Sequence, residues 1–273
     1  MTDTLHPTTL QGKRVLVTRP AHQAAKQING LSALGATPVA LPLLEIRPFS
    51  SPAVEFHHAK GRILDLDLYQ HVIFISANAA RFGAELIDDY WPQLPIKVNW
   101  LAIGRKTAAV LADYGIDAES NPLGYDSEAL LESPALQQVR DQRVLIVRGQ
   151  GGREKLADTL RERGAQVDYA DLYQRVCPVY SDSDIEETLH QQRPDALLVT
   201  SGEGLDNLLL LAPGSRQQFA LTNLLNCPLV VPSERIAQQA RLAGFKRITT
   251  AAGADDQAMI NALLPATDAE SDK

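Results

Sequence analysis

Short apolar runs and amphipathic stretches alternate along almost the whole chain. Runs rich in branched residues occur at 14–19 (RVLVTR), 37–43 (TPVALPL), 71–76 (HVIFIS), 98–104 (VNWLAIG), 143–148 (RVLIVR), 166–173 (QVDYADLY), 196–201 (ALLVTS), 228–233 (PLVVPS) and 247–251 (RITTA). Between most of them the period turns helical: Ala24, Ile28 and Leu31, or Ile236, Ala240 and Ala243, recur at i, i+4 and i+7. Gly35, Gly115, Gly164 and Gly244 close four of these stretches, where a helix C-terminus favours a left-handed residue. Short buried strands separated by helices predict an α/β protein with parallel sheets flanked by helices.

The pattern also repeats. Residues 14–36 align without a gap with residues 143–165, pairing Val15 with Val144, Arg19 with Arg148 and Gly35 with Gly164, each 129 positions apart. The same offset relates Gly115 to Gly244, and a middle block pairs Ser76 with Ser201 at an offset of 125. Blocks A, B and C are therefore followed by A′, B′ and C′, and two similar α/β domains follow. The repeat alone leaves open whether each domain is one contiguous copy or an interleaving of the two. The Pro-terminated segments LPLLEIRP at 41–48 and LYQRVCP at 172–178 occupy corresponding positions and suit two antiparallel crossing linkers.

Composition narrows the classes of partner. At 273 residues the chain can bury two cores, and 45% hydrophobic with 22% charged residues is ordinary for a globular protein. A net charge of −7 argues against nucleic acid or an anionic membrane as the main partner. The first residues, MTDTLHPTTLQGK, lack the apolar core of a secretory signal, and no apolar run reaches the ~18–20 residues that span a bilayer. Cys177 and Cys227 lie apart without metal-ligand spacing. A reduced, cytoplasmic protein with a frayed polar tail at 267–273 is expected.

Candidate chemistry gathers at the carboxyl ends of the strands, where parallel sheets form their ligand crevices. Those ends carry Thr18-Arg19, Ser76 to Asn78, Gly104 to Thr107, Arg148 to Arg153, Thr200 to Gly202, and Pro232-Ser233. Each is a hydroxyl, glycine or cation at the start of a helix, and each alone is equally a helix cap. Together they describe helix N-termini arranged to bind anions. The turn RGQGGR at 148–153 resembles a phosphate loop, yet GxxxxGK[ST] is absent, and no GxGxxG with an acidic ribose ligand occurs. The six histidines form no metal-ligand set, and GEG at 202–204 is not a nucleophile elbow. The pattern shows no metal site, nucleotide fingerprint or obvious catalytic base.

The segments VLVTRP, LPLLEI, FISANAARF, AIGRKTAAVLADYG, SEALL, VLIVRGQGGREKLADTLRERGA, LYQRV and VTSGEGL, in this order, resemble the uroporphyrinogen-III synthase family, over about residues 13–264. The resemblance implies interleaved domains: residues 1–43 with 177–266, and residues 48–172, with hinge linkers at 43–48 and 172–177. It implies closure of the linear tetrapyrrole hydroxymethylbilane to uroporphyrinogen III, with inversion of ring D and loss of water and without a cofactor. The substrate's eight carboxylates give the anion-binding strand ends a ligand. Tyr173, in LYQRV, matches a family tyrosine at the cleft, where a phenol, protonated at neutral pH, could donate to the leaving hydroxyl. Thr107 matches a family threonine facing the cleft, with helix capping as its other reading, and the duplicated position holds Ile236.

Substrate contacts are expected from Arg19, Ser76, Asn78, Gly104, Thr107, Arg148, Arg153, Ser201, Gly202 and Ser233, although the arginines equally suit structural ion pairs. A monomer is expected, with a possible transient handover of the bilane from the enzyme that forms it. Two other classes compete: a non-catalytic two-lobed protein that binds anions or tetrapyrroles, and a nucleotide-dependent transferase using RGQGGR as a phosphate loop. The missing phosphate and ribose fingerprints weigh against the second.

Overall fold

A computed structural model describes residues 9–120, 127–152, 154–212 and 218–264. The chain divides into two compact units, unit 1 from Met1–Glu45 with Val176–Lys273 and unit 2 from Ile46–Arg175. In chain order the elements begin with β1 (Arg14–Val17), α1 (Ala21–Ala33), β2 (Thr37–Ala40), β3 (Glu45–Pro48), α2 (Val54–Leu64), β4 (His71–Phe74), α3 (Ala77–Tyr90) and β5 (Asn99–Ala102). They continue with α4 (Arg105–Ala112), β6 (Glu119–Ser120), α5 (Ser127–Leu131), β7 (Arg143–Gly149), α6 (Lys155–Glu162) and β8 (Gln166–Val176). The last are α7 (Asp182–Ile185), β9 (Ala196–Leu198), α8 (Gly202–Leu211), α9 (Gln218–Asn226), β10 (Leu229–Val231), α10 (Glu234–Leu242), β11 (Ile248–Thr250) and α11 (Asp256–Asn261).

Unit 1 is built on a five-stranded sheet in the order β11-β10-β9-β1-β2, and unit 2 on a six-stranded sheet in the order β3-β8-β7-β4-β5-β6. Under the sequence repeat, β7 and β8 correspond to β1 and β2, and β4, β5 and β6 to β9, β10 and β11. Apart from edge strand β3, the two sheets thus share one strand order. Strands β1, β2, β9, β10 and β11 pair in parallel, as do β4, β5, β6, β7 and β8.

Both faces of each sheet are covered, which explains the uninterrupted apolar runs. In β4, Val72 and Phe74 enter one core cluster with α3, and Ile73 enters another with α6. In β1, Leu16 faces the helices α8 and α10, and Val15 and Val17 face α1 and α11. Gly35, Gly115, Gly164 and Gly244 end their helices at φ of +81°, +72°, +91° and +100°, the left-handed conformation their positions predict. Strand β8 runs through the stretches QVDYADLY and QRV, so residues 172–176 of the expected 172–177 linker form the end of an eleven-residue strand. Edge strand β3 lies beside it, and the Phe49 N–H donates to the Leu172 carbonyl at 2.9 Å. Among the described residues no helix is long and apolar enough to cross a membrane.

Candidate active site

In unit 2 the carboxyl ends of β4, β5 and β7 open into helix starts. Ser76, extended at φ −166° and ψ 160°, caps α3 by accepting the Ala79 N–H on Oγ at 3.0 Å. The same Oγ lies 3.0 Å from the hydroxyl of Tyr173. Tyr173 is only 5% exposed, and its ring lies 5.6 Å from that of Phe82 on α3. Asn78 is half-buried in the first turn of α3. Gly104 caps α4 from an extended backbone, and its carbonyl accepts the Thr107 N–H at 3.0 Å. Thr107 is buried as the third residue of α4, so the capping reading of its hydroxyl does not hold: the cap position belongs to Gly104.

In unit 1 the equivalent helix starts recur. Ser201 caps α8 by accepting the Gly204 N–H at 3.0 Å. The Gly202 carbonyl accepts from the Gln239 amide at 3.3 Å. Ser233 stands at the start of α10 in an extended conformation without a side-chain capping bond, which leaves its hydroxyl for other partners. Ile236, the counterpart of Thr107, is buried in the core.

The duplicated arginines are engaged within their own units. Arg148 is 8% exposed; its Nε donates to Asp171 Oδ1 and its Nη1 to Glu154 Oε1, both at 2.9 Å. Its guanidinium stacks 3.5 Å from the centre of the Tyr169 ring, and the Tyr169 hydroxyl donates to Glu154 Oε2. Burial opposes the Arg148 charge, but the hydrogen bonds to Glu154 and Asp171 outweigh it and hold the pKa above its ordinary value. The bonds from Tyr169 and then Arg148 hold the Glu154 carboxyl below its usual range. Glu154 is the N-cap residue immediately before α6, so this cluster fastens both ends of the glycine turn. Arg19 Nε lies 2.9 Å from Asp256 Oδ1 at the start of α11, and the guanidinium also reaches the Ala254 carbonyl. Both cations therefore brace a helix start. Arg153 lies outside the described residues, as do residues 265–273 of the polar tail.

Phe82, with Phe49 and Phe56, also walls an apolar hollow in unit 2 that has Glu85 and Asp89 on its rim. Carboxylates there repel an anionic ligand, so the hollow suits a polycarboxylate poorly. Among the described residues no group of three or more His, Cys, Asp or Glu side chains is placed to hold a metal, and Cys177 and Cys227 are free.

Sequence reasoning missed the Glu154–Arg148–Tyr169 cluster, the Phe82 contact and the pairing of Tyr173 with Ser76. The repeat carried one signal: Arg19 and Arg148 are counterparts, and each reaches a carboxylate near a following helix start.

The fold and the helix starts define an α/β protein of two repeated units whose strand ends are suited to binding anions. Comparison with known proteins makes the class specific. Residues 25–261 match the family model described as uroporphyrinogen-III synthase HemD. The chain is 35% identical over 255 residues to the uroporphyrinogen-III synthase of Escherichia coli (strain K12), covering 91% of this chain and 99% of that one. It is 37% identical to the Salmonella typhimurium enzyme with the same coverage. Among solved structures, a mutant uroporphyrinogen III synthase from the extremely thermophilic bacterium Thermus thermophilus shares the fold at a TM-score of 0.58 and 20% identity, covering 87% of this chain and 92% of that one. A Helicobacter pylori synthetase does so at 0.56 and 17%, covering 92% and 97%. The chain belongs to the uroporphyrinogen-III synthase family.

Proposed function

We infer that this chain cyclises hydroxymethylbilane to uroporphyrinogen III, inverting ring D and releasing water, in the synthesis of haem-type tetrapyrroles. The observation that carries this reading is the family match across residues 25–261. The hydroxymethyl group must lose its hydroxyl as water, which requires a proton and leaves an electrophilic azafulvene. Ring D then attacks through its substituted α-carbon, and the spiro-pyrrolenine so formed fragments and recloses inverted. Unassisted, the bilane closes to isomer I, so the protein has chiefly to favour the spiro geometry.

In this reading Tyr173 supplies the proton or orients the leaving hydroxyl. The hydrogen bonds around it support a direction. Ser76 Oγ already accepts the Ala79 N–H. If Ser76 in turn donates its own hydrogen to the Tyr173 oxygen 3.0 Å away, the phenolic hydrogen is left for the substrate. A chain of three aligned donors polarises each successive bond and strengthens the last. Replacing the phenol by Phe slows the reaction without abolishing it, because positioning remains.

We assign carboxylate binding to the helix starts at Ser76, Asn78, Gly104 and Thr107 in unit 2, and at Ser201, Gly202 and Ser233 in unit 1. First-turn N–H groups lack i−4 partners by helix geometry, the caps take only some of them, and the dipole favours an anion beside the rest. Arg19, Arg148 and Arg153 contribute positive potential to these ends, the first two while bracing helix starts. We further propose a cytoplasmic monomer that receives the bilane in transient handover from the enzyme that forms it; the net charge of −7 fits neither nucleic acid nor an anionic membrane as partner. Sedimentation analysis tests the monomer, and the isomer composition of the product, III against I, tests the activity.

A further inference from the structure

We propose that Gly149 and a one-residue bulge at Leu172 are the device that presents the Tyr173 phenol, with Gly149 acting as a positioning residue; this rests on reading Tyr173 as the donor to the leaving hydroxyl. Alternation along a strand places residues i, i+2 and i+4 on one face. Val167 and Tyr169 of β8 pack on the face that holds α6, and Asp171 reaches Arg148, which stacks on Tyr169. Strict alternation would continue Tyr173 onto that face.

Instead the register slips. Arg148 lies opposite Asp171, and Gly149 lies opposite Tyr173, so Leu172 is the extra residue. Leu172 and Tyr173, adjacent in sequence, both enter the core cluster of α3. A bulge of this kind re-aims a side chain, and here it turns the phenol from the Arg148 cluster to Ser76 and Phe82. Both carbonyls of the bulge are satisfied: that of Leu172 accepts the Phe49 N–H at 2.9 Å, and that of Tyr173 accepts the Gln150 N–H at 2.7 Å.

Once turned, the ring packs against Gly149. A Cβ there would stand 2.5 Å from Cε2, 2.6 Å from Cζ and 3.0 Å from Cδ2 of Tyr173, well inside contact distance. Gly151 and Gly152 serve the turn through positive φ, at +76° and +109°, but Gly149 is not among the positive-φ glycines. Its role is the close approach of the ring. The first glycine of the RGQGGR turn is thereby a seat for the tyrosine rather than a phosphate contact.

The test is Gly149→Ala, alone and combined with Tyr173→Phe, with initial rates on hydroxymethylbilane. The displaced phenol lowers kcat by about as much as Tyr173→Phe does, on the order of a hundredfold at the low end of what a positioned proton donor contributes, with KM changed far less than kcat. In the double variant the hydroxyl is already absent, so the loss does not grow. An unimpaired Gly149→Ala beside a slowed Tyr173→Phe, or losses that multiply, overturns the positioning role. An undiminished Tyr173→Phe refutes instead the reading of Tyr173 on which the role rests. Should Gly149→Ala not fold, Gly149→Ala with Tyr173→Ala is compared with Tyr173→Ala alone: equal stability of the two supports the contact, and a Gly149→Ala penalty that persists without the ring overturns it.

Discussion

Replacing Ser76 by Ala removes two bonds with one atom. The first is the cap of α3, where Oγ accepts the Ala79 N–H at 3.0 Å; losing such a cap costs about 1 kcal/mol. The second joins Ser76 to the hydroxyl of Tyr173, a residue that is 5% exposed overall. A buried hydroxyl left without its partner costs a further 1–3 kcal/mol or so, and the expected total is roughly 2–4 kcal/mol. In a Tyr173→Phe background the hydroxyl is gone, so Ser76→Ala should cost only the cap, about 1 kcal/mol. The coupling between the two substitutions is therefore about 1–3 kcal/mol. Both tryptophans of the chain, Trp91 and Trp100, lie in unit 2 and pack against the core that contains Tyr173. Denaturant unfolding followed by tryptophan fluorescence thus reports on the unit that carries the substitutions. Additive effects, with coupling below about 0.3 kcal/mol, would refute the hydrogen bond and the proton direction derived from it.

Three further outcomes are expected. Tyr69 is buried and donates to Asp168 at 2.9 Å, and burial followed by that bond pushes its pKa from 10.0 up to about 12. The folded state then holds a proton that the unfolded chain releases, so the contribution is complete below pH 10 and is lost as pH rises through about 12. Wild type should lose up to ~2.7 kcal/mol relative to Tyr69→Phe across that window, and parallel stability curves for the two would contradict the assignment. Gln27 on α1 is fully buried with neither amide atom hydrogen-bonded among the described residues, so Gln27→Leu should stabilise the protein by about 1–3 kcal/mol; a lower Tm by circular dichroism would show that the amide has a partner. Glu154→Gln removes the charge that pairs with Arg148 and should raise KM more than it lowers kcat, because this residue is the N-cap of α6; an unchanged KM would separate the cluster from substrate binding.

Much of the architecture is legible in the apolar runs because covered sheets leave no polar face to interrupt them. The repeat is legible for a related reason: Gly35 and Gly164 each hold a positive φ that few residues tolerate, and Arg19 and Arg148 each brace a helix start. The bulge at Leu172 is not legible, because leucine and tyrosine fit either face of a strand and QVDYADLYQRV contains no glycine or proline to mark the slip. The seat at Gly149 is hidden by its neighbours, since a glycine followed by QGG reads first as part of an anion turn. The arginines read equally as substrate contacts or ion-pair members because two of their carboxylate partners, Asp171 and Asp256, lie 23 and 237 residues away along the chain, although Glu154 lies only six residues from Arg148.

The most direct test generates hydroxymethylbilane in place with the purified protein, oxidises the product and separates the porphyrin isomers. Isomer III in large excess over the spontaneous isomer I, scaling with protein concentration, is the predicted result. Isomer I alone from a folded protein would contradict the cyclising activity and with it the role of Tyr173.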